Sequence, residues 1–184
     1  MLLAKALSNV SGYEYILNRP VYEWRRLYQI DESQMYTFIN QFLIISSSIF
    51  QRIEEEYEFS PFVSSGAIFS EVLSLKSKMD EKRIELYEPK EFEMIEYLLN
   101  LTGRYAARHY DMVIHVQNPY FESFDKLSIG FYEKYHITYK LYNGDNDMEE
   151  TLKNIIHEVE IPMVQSTESA IYRAIQLVTF KNWK

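Results

Sequence analysis

Apolar residues recur along the chain at three- and four-residue steps in several long stretches, the spacing of an amphipathic helix. The clearest case spans 33–56, where Met35, Phe38, Ile39, Phe42, Ile45, Ile49 and Ile53 form one row. Leu43, Ile44 and Phe50 widen the arc, so this helix is expected to be buried on most sides and to carry a second packing surface. Similar rows predict helices near 2–9, 68–78, 90–108, 120–135, 148–159 and 167–180, with a shorter one over Val21–Tyr28. In 90–108 the inward residues are Phe92, Ile95, Leu98, Leu99 and Tyr105, and in 167–180 they are Ala170, Ile171, Ala174, Ile175 and Val178. Short apolar or alternating runs predict strands near 13–17, 60–64, 111–116 and 137–142. Pro61, Asn143-Gly144-Asp145 and Pro162 mark breaks, and charged residues 80–90 read as an exposed connection.

Short apolar strands separated by helices specify an α/β fold with a parallel sheet, flanked by helices in three layers. The 184 residues suit one domain of ordinary globular composition, 47% apolar and 25% charged. Residues 1–160 read as that domain and 161–184 as a C-terminal helical extension. No apolar run reaches the roughly 20 residues a membrane-spanning helix needs, and MLLAKALSNV is too short and polar for a signal peptide.

Charge changes the picture next. The net value is −8, and residues 51–100 hold 6 basic against 12 acidic side chains. A broad nucleic-acid-binding face is therefore not expected. Cysteine is absent, which excludes disulfides, thiolate metal sites and a cysteine nucleophile but fixes no compartment. The five glycines form no glycine-rich phosphate loop.

Several segments, in order, resemble the deoxynucleoside kinase family. GYEYILNRPVYEW resembles that family's second strand and the turn after it, and MYTFINQFLIISSSIFQ its long helix with a Phe-x-x-Gln element. FVSSGAIFSEVLSL resembles its acidic-Arg-Ser segment, YDMVIHVQ its Asp-led strand, and YFESFDKLSIGFYEKY the helix that follows. HITYKLYNGDNDMEETLKNIIHEV looks like the closing strand and helix, so the likeness spans about residues 2–160. It implies a P-loop-kinase-like sheet in which Gln41 matches the nucleobase-binding glutamine and Trp24 an aromatic beside the sugar–base pocket.

The departures fall on the chemistry. The matched part begins inside the family's first helix, so the first strand and phosphate loop have no counterpart. That loop supplies the amides and lysine that hold phosphates. Arg19 stands where the family has its catalytic glutamate, and a cation cannot accept the 5′-hydroxyl proton. Ser65 and Gly66 replace the carboxylate and arginine, and Gln117-Asn118-Pro119 replaces the arginine-rich lid. The resemblance thus implies a degenerate kinase with no catalytic residues and no cofactor, acting in assembly as an accessory subunit or oligomer. Family members dimerise through a bundle that includes the long helix, so Ile44 and Phe50 are the expected interface residues. The alternatives are an active kinase whose phosphate loop lies upstream of Met1, and a nucleoside-binding module resting on Gln41 and Trp24.

Other constellations read as structural. Arg104 and His109 form an R-x4-H pattern, as in helical ribonuclease toxins, but it runs into a strand. His115, in an apolar strand, reads as a satisfied core residue, and no histidine pair shows metal-ligand spacing. Asp145, Asp147, Glu149 and Glu150 suit a solvated helix N-terminus better than a calcium loop. Glu54-Glu55-Glu56 reads as a solvated helix end.

Overall fold

A computed structural model describes residues 1–17, 37–80 and 89–181. The expected helix at 21–28 and its neighbours Arg19, Trp24 and Met35 lie outside the described residues. The order is α1 (Leu2–Ser11), β1 (Glu14–Ile16), α2 (Phe38–Glu58), β2 (Phe62–Ser64), α3 (Ser70–Asp80), α4 (Pro89–His109), β3 (Val113–Gln117), a 3-10 turn (Pro119–Phe121), α5 (Glu122–Tyr135), β4 (Tyr139–Asn143), α6 (Met148–Val159) and α7 (Thr167–Lys181). The protein is mixed α/β and mostly helical.

The expected strands form, and both ladders are parallel. Among the described residues they pair two and two, β1 with β2 and β3 with β4, where a sheet of three or four strands was expected. In the first ladder Glu14 lies opposite Phe62, and in the second Val113 lies opposite Tyr139.

The chain divides into two compact units. One comprises Met1–Asn18, Glu54–Gly66 and Asp145–Lys184, and so holds both ends of the chain. Here Asn9 Nδ2 donates to the Ala170 carbonyl at 3.1 Å, and Gln165 Nε2 donates to the Asn9 carbonyl at 2.7 Å. Ala6, Val10, Leu152, Ile155, Ala170 and Ala174 are fully buried. Small residues on α1 and α7 let the two helices approach closely. Of the row expected on α7, Ile175 is instead 46% exposed. Gly12 ends α1 at φ 73°, a left-handed cap that a side chain would strain. Asp147 caps α6, its Oδ1 accepting from the Glu149 and Glu150 amides at 2.9 and 3.2 Å, as the acidic cluster suggested.

The other unit comprises Arg19–Ile53 and Ala67–Gly144. Its core joins Phe38, Ile45 and Ile49 of α2 with Val72, Leu73 and Leu75 of α3, Ile95, Leu98 and Leu99 of α4, and Phe131 and Tyr132 of α5. Phe69 sits among them, 4.9 Å from the Phe131 ring and 5.6 Å from Tyr132. At Gly103 an added Cβ would lie 2.5 Å from the Tyr135 ring, so only glycine allows α4 and α5 to close here. The Tyr135 hydroxyl then donates to Asn100 Oδ1 at 2.7 Å.

Two helical rows differ from expectation. Ile39, assigned to the buried row of α2, is 67% exposed, and Phe92, assigned to the buried row of α4, is 38% exposed. The α2 helix also runs past the glutamates to Glu58, and Glu56 is buried. Glu56 follows Ile49 by seven residues, two helical turns, and so falls on the same side of the helix.

Candidate functional site: a closed polar relay and an open apolar row

Two features of the larger unit depart from the rule of apolar inside and polar outside. The informative observations on any protein are a buried polar group and an exposed apolar patch.

The buried polar group is centred on His115, the middle residue of β3. Alternation along the strand points His115 toward α5, the face from which Val113 packs on the core. Asp125 and Tyr132 stand seven residues apart on α5, two turns, and so meet the same strand. His115 Nε2 lies 3.0 Å from Asp125 Oδ1, and His115 Nδ1 lies 3.0 Å from the Tyr132 hydroxyl. A carboxylate only accepts, so Nε2 carries the ring proton and Nδ1 accepts from the phenol. Asp125 Oδ2 accepts from the Asn118 amide at 3.1 Å, and Asn118 Oδ1 accepts from the Tyr120 amide at 3.0 Å. All three side chains of the relay are buried. Burial pushes the Tyr132 phenol up to about 12, with the Asp125 charge adding to the rise, so the phenol stays protonated and remains a donor.

Carboxylate, imidazole and hydroxyl stand in the order used for nucleophile activation. Here both ring nitrogens, both Asp125 oxygens and the phenol are engaged, and all three side chains are buried. The arrangement ties the strand end, the turn after it and α5 together. His115 is thus a satisfied core residue, as its apolar strand suggested. The partners at positions 125 and 132 carried no signal in the sequence, because acidic and tyrosine residues on an amphipathic helix read as surface.

The open feature is apolar. On α4 the buried Ile95, Leu98 and Leu99 face the core, while Met94, Tyr97 and Leu101 are 39%, 67% and 41% exposed. Steps of three and four residues place these three on one face, turned about 120° from the core direction with Tyr97 farthest from it, and Arg104 continues the row. On α2 a second row, Ile39, Leu43 and Phe50, is exposed at 67%, 48% and 66%.

The residues expected to carry function are placed as follows. Phe50 is exposed, while Ile44 is fully buried and so is core in this chain, not surface. At 100° per residue the two lie about 120° apart on the helix, which separates a core side from a solvent side. Gln41 is buried, and its backbone N–H donates to the Thr37 carbonyl at 3.1 Å. The Ser65 amide donates to the Ile16 carbonyl at 3.2 Å, and Gly66 adopts φ 117°, a conformation that favours glycine. Arg19 and Trp24 lie outside the described residues. Arg104 and His109 are on one helix but about 140° apart around it, and His109 stacks on Tyr105 at 4.5 Å. Among the described residues no group of three or more His, Asp or Glu could hold a metal ion, and no helix is long and apolar enough to cross a membrane.

No protein-family model, no curated protein and no solved structure matches the chain.

Proposed function

We propose that this protein is a binding and assembly module, and that its exposed apolar helix rows are its working surface. One observation carries the reading: three apolar side chains in register on α4, Met94, Tyr97 and Leu101, stand open to solvent on a face turned about 120° from that helix's core-facing residues. A helix that packs on one side needs only one apolar face. Exposed apolar surface gathered into a row marks an interaction site, whereas the same residues scattered singly would need no account. The row on α2 adds a second patch of the same kind.

The deoxynucleoside-kinase-like ancestry belongs to this proposal. It rests on the ordered sequence resemblance over about residues 2–160. In that reading the three-layer kinase sheet is the parent architecture, and Ser65 and Gly66 mark where phosphate-handling groups were lost. Phosphotransfer is not part of the proposed activity.

The test is the mass of the assembly formed in the native source. The chain, tagged at its own locus, should elute in a species larger than its 22.1 kDa. Tyr97→Glu and Phe50→Glu should shift it toward the single-chain mass while the circular dichroism spectrum stays native. Elution of the unaltered chain as a single subunit contradicts the reading.

A further inference from the structure

The α4 row has a polarity that the apolar residues alone do not reveal. Met94, Tyr97, Leu101, Arg104 and Arg108 follow one another at steps of three, four, three and four. This is the spacing of a coiled-coil seam, and at 100° per residue it confines them to about 80° of the helix surface. The seam begins apolar beside an acid, Glu93, and ends basic. Charges at helix ends are ordinarily explained by the macrodipole, which acts within the first and last turns. That accounts for Glu91, Arg108 and His109, which lie in those turns. It does not account for Arg104, five residues before the end, or for Glu93, beyond the first turn. Glu93, Met94 and Arg104 are all exposed. Arg104 and Glu93 also make no ion pair within the described residues.

We infer that α4 docks against α4 of a second copy of this chain, antiparallel and about a two-fold axis. The inference rests on the assembly reading above and names its partner. The two-fold passes between Tyr97 and Leu101, so each Tyr97 packs on the opposite Leu101. The same register sets each Arg104 against the opposite Met94, with its aliphatic stem over the thioether and its guanidinium beside the opposite Glu93. A two-fold repeats every contact, so the acidic start of each seam meets the basic end of the other. A parallel pair would instead place Arg104 on Arg104 and Glu93 on Glu93. At the rim Arg108 falls opposite Lys90 and adds no attraction. An acidic partner would suit Arg104 but not Glu93, and a basic partner the reverse. Only a surface with the opposite order of charge satisfies both, and this helix reversed is such a surface.

A charge swap tests the pairing in the full chain. Association is followed by light scattering across a dilution series, with circular dichroism to confirm the native fold. Wild type should approach twice 22.1 kDa at high concentration. Arg104→Glu and Glu93→Arg should each weaken the dimer about tenfold or more, because each replaces two attractive pairs with two repulsive ones. The double variant should recover wild-type affinity within about threefold, since the swap restores both pairs. A double variant no better than either single one overturns the register. A dimer indifferent to all three overturns the use of α4. A wild-type mass of one chain at every concentration overturns the second copy as partner. That last result still leaves the native-source assembly measurement to decide the broader reading, so the two failures are separable.

Discussion

The relay between β3 and α5 and the row on α4 are opposites. One is polar and inside; the other is apolar and outside. The difference between them is completion. Tyr132, His115, Asp125 and the Asn118 backbone amide pair with one another within 3.1 Å. The relay's effect is to fix α5 on the strand. Met94, Tyr97 and Leu101 leave their apolar surface in water, and the free energy of covering it is still available. Chemistry that resembles an active site is here structural, and a plain stretch of helix is where association is expected.

Mutation at buried sites should break the fold and mutation on the rows should not. The largest effect is expected at Ile44, which the interface expectation had placed on the surface. Glutamate there buries an unpaired charge and should cost more than about 4 kcal/mol, enough to abolish the cooperative melt seen by circular dichroism. Phe50→Glu, six residues on, should keep that melt.

Next is the relay. Asp125→Ala strands the His115 ring proton and the Asn118 amide together, and should lower the unfolding free energy in urea by about 3 kcal/mol. The relay also predicts a pH dependence. The Tyr132 phenol is raised from 10.0 to about 12 in the folded protein. A group with a raised folded value contributes its stability fully below the unfolded value and loses it as pH rises through the folded one. Stability should therefore fall between about pH 10 and pH 12, by roughly 2–3 kcal/mol from this group. Tyr132→Phe should remove that part of the slope. It should cost only about 1 kcal/mol at neutral pH, because His115 Nδ1 loses one donor and no charge is stranded.

The fold's elements were legible to within a few residues because each carried a local signal. Periodicity located the helices, and Asp147 and Gly12 marked a start and a stop. Pairing was not legible. Strands of three to five residues carry too few side chains to specify their neighbours, and the joining of α1 to α7 rests on contacts between residues such as Asn9 and Ala170, 161 positions apart. At the site, His115 was readable as core because its strand is apolar. Asp125 and Tyr132 were not, since their burial depends on which helix covers that strand. The same limit explains Ile39 and Ile44: both lie on apolar arcs of α2, and only the packed neighbours decide which arc is covered.

The smallest effect on stability is expected on the α4 row itself. Tyr97→Glu or Leu101→Ser should change the unfolding free energy by no more than about 0.5 kcal/mol, because solvent already reaches both positions. An effect of several kcal/mol would place the row in the core.

The most direct test is the molar mass of the purified wild-type chain by light scattering over a wide concentration series. Association through α4 predicts a mass that climbs from 22.1 kDa toward twice that value, with Tyr97→Glu held at the lower figure throughout. A wild-type mass that stays at one chain across the whole series would contradict it.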